Sequence, residues 1–206
     1  MKLIKLIIVS SLFFVSSTNS TETVNSKFVY LQENKVISPW IASVGNKANW
    51  YVPAKEDRLA TIGGDLKVAF NDQTKLSGIA LQWNSKTDIA SFSLSGPIID
   101  LSKIEDAVVL MFDIYIESKV KEPIAVAMGC GDPCKGKVHI RKLLTKQTRK
   151  KWLTIPIPLN CFSKNGADLT KINAPFIIET KGKLKIRLKN IQLARSEKSD
   201  LGCKKQ

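Results

Sequence analysis

Ala107-Val-Val-Leu-Met-Phe-Asp-Ile-Tyr-Ile-Glu117 decides the fold of this chain. Its even positions, Val108, Leu110, Phe112, Ile114 and Ile116, are all apolar, while the odd ones include Asp113, Tyr115 and Glu117. Strict alternation over this length is the mark of a strand with one face in a core and the other toward water. The same period recurs on both sides. Ala90, Phe92 and Leu94 alternate with Ser91, Ser93 and Ser95, and Ile79, Leu81 and Trp83 line one phase of an earlier segment. Downstream, Ile124, Val126 and Met128 do the same, and Leu184, Ile186 and Leu188 alternate with Lys183, Lys185, Arg187 and Lys189. Turn clusters such as Asn71-Asp72, Gly96-Pro97, Glu122-Pro123 and Lys181-Gly182 separate these runs. No long segment has a 3.6-residue period. One helical turn is expected within Ile140 to Lys151, and Asp168 is placed to cap another before Leu169. The pattern predicts an all-β protein, a jelly-roll sandwich of about eight antiparallel strands.

Outward from this body, the ends read differently. Residues 1–20 carry Lys2 and Lys5, then an apolar stretch from Leu6 to Val15, then Ser16-Ser-Thr-Asn-Ser20. That order is a secretory signal peptide, with Thr18 and Ser20 at the −3 and −1 positions of a cut. About ten apolar residues are too few to cross a bilayer roughly 30 Å thick, and no later stretch is long and apolar enough. Residues 21–39 form an N-terminal extension with one plausible edge strand, Phe28 to Leu31, residues 40–195 the sandwich, and residues 196–206 a charged tail. The expected location is secreted or periplasmic.

Export governs the cysteines. Four of them, Cys130, Cys134, Cys161 and Cys203, allow up to two disulfides in three connectivities. Cys130-Gly-Asp-Pro-Cys134 is a tight loop whose closure contributes only about 2 kcal/mol, so a bridge there shapes the loop more than it stabilises the chain. A zinc site from Cys130, Cys134, His139 and Cys161 is the alternative, but the spacing fits no common finger. No metal is expected.

The central motifs resemble one known module. Met128-Gly-Cys-Gly-Asp-Pro-Cys134, Trp152-Leu-Thr-Ile-Pro-Ile-Pro-Leu-Asn-Cys-Phe162, Gly166-Ala-Asp-Leu169 and Ala174-Pro-Phe176 are similar to the C-terminal galactose-binding-like domain of ExoP-type exo-β-glucanases of glycoside hydrolase family 3. Trp40-Ile-Ala-Ser-Val-Gly-Asn46, Gly64-Asp-Leu-Lys-Val-Ala-Phe70, Leu81-Gln-Trp83 and Asp100-Leu-Ser102 fit the same module, so the likeness runs from about Trp40 to Ala194. It implies a carbohydrate-binding sandwich without the catalytic carboxylates, which in those enzymes belong to other domains. The implied partners are a polysaccharide of β-glucan type and a separate glycoside hydrolase.

No enzyme is expected from the residues themselves. Glycoside hydrolysis needs two carboxyl groups facing each other about 5–9.5 Å apart, and no sequence pattern pairs Asp100, Asp113, Glu117 or Asp132 in that way. His139 is the only histidine, and there is no Gly-x-Ser-x-Gly elbow. No cofactor is expected; sandwiches of this kind sometimes carry a structural calcium ion, for which no residue pattern here argues. A pyranose ring asks for an open aromatic face beside amide or carboxylate groups. Trp40, Trp50 and Tyr51 lie in a loop-rich stretch suited to a stacking platform, and Gln82, Asp113 and Tyr115 point away from the core phase. These six are the expected carbohydrate ligands, with Trp83 and Trp152 assigned to packing. The formal charge of +14, from 32 Lys+Arg against 18 Asp+Glu, adds a second reading. Lys181, Lys183, Lys185, Arg187 and Lys189 form a one-sided ladder that serves either as a solvated face or as a lure for anionic polymers. Export argues against nucleic acid as the partner. A structural envelope protein that keeps the sandwich without a sugar site is the other alternative.

Overall fold

A computed structural model describes residues 26–54, 58–71, 74, 76–84, 87–147, 149–196 and 203. The signal-peptide reading of residues 1–20 and most of the charged tail lie outside these. In chain order the strands are β1 (Val29–Gln32), β2 (Lys35–Val36), β3 (Ile41–Asn46), β4 (Asn49–Pro53), β5 (Arg58–Ala60), β6 (Leu66–Ala69) and β7 (Ile79–Trp83). They continue as β8 (Ala90–Ser95), β9 (Val108–Ile116), β10 (Ile124–Gly129), β11 (Lys135–His139), β12 (Trp152–Pro158), β13 (Ala174–Thr180) and β14 (Leu184–Arg195). Two short helices, α1 (Arg141–Thr145) and α2 (Leu159–Ser163), interrupt them.

The strands form two antiparallel sheets. Sheet A runs β12-β9-β14-β7-β6-β5, with β1 also paired to β14 and carrying β2; sheet B runs β11-β10-β13-β8-β3-β4. The all-β sandwich is as the alternation required. Short pieces such as β2 and β5 bring the described strands to fourteen.

Inward phases meet in one core. Phe112 of β9 and Phe176 of β13 touch edge-to-face across the seam, with ring centroids 5.3 Å apart. Trp83 is buried, and its indole N–H donates to the Ala90 carbonyl at 2.9 Å, so the ring fills the interior without stranding its donor. Asp168 caps its turn as expected, accepting from the Thr170 amide at 3.1 Å. Disulfides join Cys130 to Cys134 and Cys161 to Cys203. The first closes the hairpin between β10 and β11, where Gly131 takes a φ of +89° that a Cβ would strain. The second ties the end of the chain to α2.

The N-terminal stretch does more than the sequence suggested. Strand β1 pairs along β14, and Tyr30 and Leu31 are fully buried. The edge strand expected at Phe28 to Leu31 is present as β1, and with β2 it joins the N-terminal extension to sheet A. Replacing Leu31 by Ala should therefore lower the unfolding free energy by about 2–5 kcal/mol in urea titrations, the range for a core truncation. A variant as stable as the parent would show that this strand is not part of the core.

Candidate functional site

Strands β3 and β4 form a hairpin whose turn is organised by Asn46. Its Oδ1 accepts from the amides of Ala48 and Asn49, both at 3.1 Å. Its Nδ2 donates to the Ile62 carbonyl at 2.8 Å and to Asp65 at 2.7 Å, riveting the hairpin to the turn before β6. The pairing of Val44 with Val52 and Asn46 with Asn49 leaves two residues, Trp50 and Tyr51, opposite Gly45 alone. This is a β-bulge, which re-aims side chains at a sheet edge. Position 45 has to be glycine, because a Cβ there would run into the Trp50 backbone carbonyl. As a result Trp50 and Tyr51 are 68% and 50% exposed, the only open Trp, Tyr or Phe rings among the described residues.

Gly45 belongs to the outward phase of sheet B, so the Trp50 backbone overhangs the outer face of that sheet. From there one register row crosses the strands through Ser91, Glu179 and Ala125 to His139 at the far edge. The next row runs from Pro53 through Ser43, Ser93, Ile177 and Ala127 to Lys137. Most of these side chains are small, and Ser43 and Ser93 share a hydrogen bond of 2.7 Å between their hydroxyls. Glu179 rises from the middle, with Lys135 at 3.1 Å and Lys137 also paired to it. Burial opposes ionisation of Glu179, but hydrogen bonds and charge from the two ammonium groups outweigh it and hold the carboxyl below its usual range. Sequence reasoning missed this trio; the signal was a lone acid in the apolar run Pro175-Phe-Ile-Ile-Glu179.

The other expected residues fall elsewhere. Gln82, Asp113 and Tyr115 all lie on the outer face of sheet A, with β14 between the first and the other two. Gln82 donates to Asn84 at 2.8 Å. Asp113 accepts from the Thr154 hydroxyl at 2.6 Å and the Asn190 amide at 2.8 Å. Tyr115 is half-buried against Trp152, with centroids 5.5 Å apart, and the Lys189 ammonium sits 4.7 Å from the Trp152 ring centre. The Trp152 ring, assigned to packing, does pack, but on this outer face. Trp40 corrects the sequence reading. It is 4% exposed, its ring set edge-on to Tyr30 at 4.9 Å, so it offers no face to a ligand. The six residues thus separate into an exposed pair on sheet B, a trio on sheet A and one core ring.

The lysine ladder also divides. Arg187 is 2% exposed, with its guanidinium donating to Glu117 at 2.8 Å, to the Thr74 hydroxyl at 2.8 Å and to the Leu76 carbonyl at 3.2 Å. Lys189 is held by Glu33 at 3.3 Å and Ser77 at 3.2 Å. Lys181, Lys183 and Lys185 remain exposed.

Two antiparallel sheets of this topology, with one outer face smooth and edged by two aromatic rings, define a β-sandwich of galactose-binding-like type. Residues 38–193 match the ExoP C-terminal family, described as galactose-binding domain-like, and the chain belongs to that family. No curated protein matches the sequence. Among solved structures, the chain is similar to the extra C-terminal domain of the exo-1,3/1,4-β-glucanase ExoP from a Pseudoalteromonas species, at 13% identity and a TM-score of 0.66, covering 84% of this chain and 95% of that one. It is also similar to the family 30 carbohydrate-binding module of the cellulosomal cellulase Cel9D-Cel44B from Clostridium thermocellum (15% identity, TM-score 0.57, 83% and 98% covered). A third likeness is to the family 11 module from Clostridium thermocellum, solved with a β-1,3-1,4-mixed-linked tetrasaccharide (16% identity, TM-score 0.51, 81% and 94% covered). At such identities these likenesses show a common fold.

The Glu179 cluster makes a checkable demand. A carboxyl whose folded value is depressed stabilises the fold above its unfolded value of about 4.3, and that contribution fades as pH falls through the lower folded value. Glu179→Gln should cost about 1–2 kcal/mol at pH 7, with the gap to the parent closing as the pH is lowered toward about 3. Chemical denaturation at a series of pH values reads this directly; a gap independent of pH would remove the ionised trio from the account.

Proposed function

We propose that this chain is an exported, non-catalytic carbohydrate-binding module that holds a β-glucan-type polysaccharide on the outer face of sheet B. The observation that carries the reading is the bulge-built pair Trp50 and Tyr51, open to solvent at one end of a row of small side chains. An extended saccharide laid across the strands stacks one pyranose face on these rings. It then runs over Ser91 and Ser93 toward Glu179, Lys135 and Lys137, whose charged groups meet hydroxyls. Adjacent strands are about 4.8 Å apart, so the path from Gly45 to the Glu179 strand is roughly 10 Å. That leaves room for more than one sugar residue.

The chemistry of the carboxylates favours binding without turnover. Glu179 is ionised between two cations and has no proton to give. Hydrogen bonds from Ser102 and Thr170 hold Asp100 and Asp168, respectively, below the ordinary carboxylate range. The charge of Asp168 pushes Asp100 the other way without overcoming those bonds, so neither serves as a general acid at neutral pH. The N-terminal residue pattern and the two disulfides support export, and a separate glycoside hydrolase is the natural partner for a module of this kind.

Affinity electrophoresis in gels containing mixed-linked β-1,3-1,4-glucan tests the reading. The protein should be retarded, and Trp50→Ala should weaken binding about tenfold, equivalent to roughly 1.4 kcal/mol for a lost stacking surface. Mobility unchanged by any neutral glucan would sink the proposal and leave a structural envelope protein that keeps the fold without the site.

A further inference from the structure

The outer face of sheet A carries a feature that neutral-sugar binding does not use. Two grooves, about 600 Å³ and 670 Å³, adjoin there and share Gln82 and Lys185 in their walls. Lys67 lines the first, and Lys119, Lys121 and Lys183 line the second. Pairing places Lys67 and Lys185 on either side of Gln82, on neighbouring strands. The Ser118 hydroxyl accepts from the Lys185 amide at 2.8 Å, which holds the turn bearing Lys119 beside that strand. All five lysines are exposed, and among the described residues none is in an ion pair. Of the described acids in the walls, Glu117 is committed to Arg187, leaving Glu122 as the one carboxylate among the described residues against five ammonium groups. Ala60, Ala69 and Ala80 keep the first groove low-walled on the side away from β9.

We infer that this trough is a second binding site, for a linear acidic polysaccharide. Five exposed ammonium groups in a concave surface, none of them in an ion pair among the described residues, focus potential along one line, and a regularly spaced polyanion answers it. The charges are ammonium groups, which act as point charges and do not demand the planar geometry that arginine reads on phosphate. Single-stranded nucleic acid fits less well, because Trp83, the one aromatic among the described residues of the walls, is 1% exposed and offers no stacking face to a base. The site is independent of the Trp50 platform, since it lies on the opposite sheet, and both can be occupied together.

The test uses the purified protein with polygalacturonate, neutral mixed-linked β-glucan and a single-stranded oligonucleotide as probes. Polygalacturonate should retard the protein at about 50 mM NaCl, with affinity falling about tenfold or more by roughly 300 mM as screening grows. The triple reversal Lys119→Glu, Lys183→Glu and Lys185→Glu should abolish that retardation. A charge-matched triple outside the trough, Lys142→Glu, Lys146→Glu and Lys164→Glu, should keep most of it, and Trp50→Ala should keep all of it. Single reversals at Lys119 and Lys183, each weakening binding several-fold, carry the test if the triple variant does not fold. No retardation at low salt, equal losses in the two triple variants, or tighter binding of the oligonucleotide than of polygalacturonate at equal salt would each overturn the inference.

Discussion

Everything in this protein depends on the seam between the two sheets. A pleated strand sends alternate side chains to opposite faces, so each residue of β9 or β13 is committed either to the seam or to water. Phe112 and Phe176 close the seam where the two strands cross, and Trp83, Phe92 and Phe162 fill around them with almost no exposure. Once those positions are fixed by burial, register is fixed with them, because a slip of one residue would turn Phe112 outward and Asp113 inward. The chemistry of both outer faces follows as the complement of the core.

This is why so much of the fold was legible in the sequence. Alternation in Val108–Ile116, Ala90–Ser95 and Ile79–Trp83 reports burial directly, and those strands stand where the pattern put them. The same logic placed Gln82, Asp113 and Tyr115 on an outward phase, and all three lie on the outer face of sheet A. Pattern reading gave no information on which strands are neighbours. Gln82 and Tyr115 share a face with β14 between them, a fact of topology that no local period encodes.

The aromatic residues show where local reading ends. Trp40 and Trp50 come from one loop-rich stretch of similar composition, yet one is core and the other fully presented. The difference lies in non-local partners. Trp40 meets Tyr30 from a strand that pairs with the far end of the chain, whereas Trp50 sits on a bulge dictated by the hairpin register and by Asn46 anchoring to Ile62 and Asp65. Among the described residues the buried Tyr30 hydroxyl and Trp40 indole N–H have no hydrogen-bond partner, and burial pushes the phenol pKa strongly upward. Both groups pay a desolvation cost that packing of the two rings must exceed. The sequence held a hint in the turn residues Asn46 and Asn49, but the count of residues opposite Gly45 decides the outcome, and register alone supplies that count.

Charge shows the same dependence on neighbours. Arg187, Lys185 and Lys183 are equivalent in the sequence, two residues apart on one phase, yet Arg187 is buried under the loop that supplies Thr74 and Leu76 while the lysines stand clear. The guanidinium suits burial because its fork satisfies three acceptors at once, which an ammonium on a flexible stem does less well. The division separates structural from available charge: Arg187, Lys189 and the Lys135–Glu179–Lys137 trio are held in pairs, and among the described residues the trough lysines are not. Two sheets about 10 Å apart across a packed seam turn their outer faces in opposite directions, and those faces share no side chains. Substitutions on one face therefore add to those on the other instead of coupling with them. A sandwich is in this sense two surfaces on one core, and the family's fold leaves each of them free to acquire its own ligand chemistry.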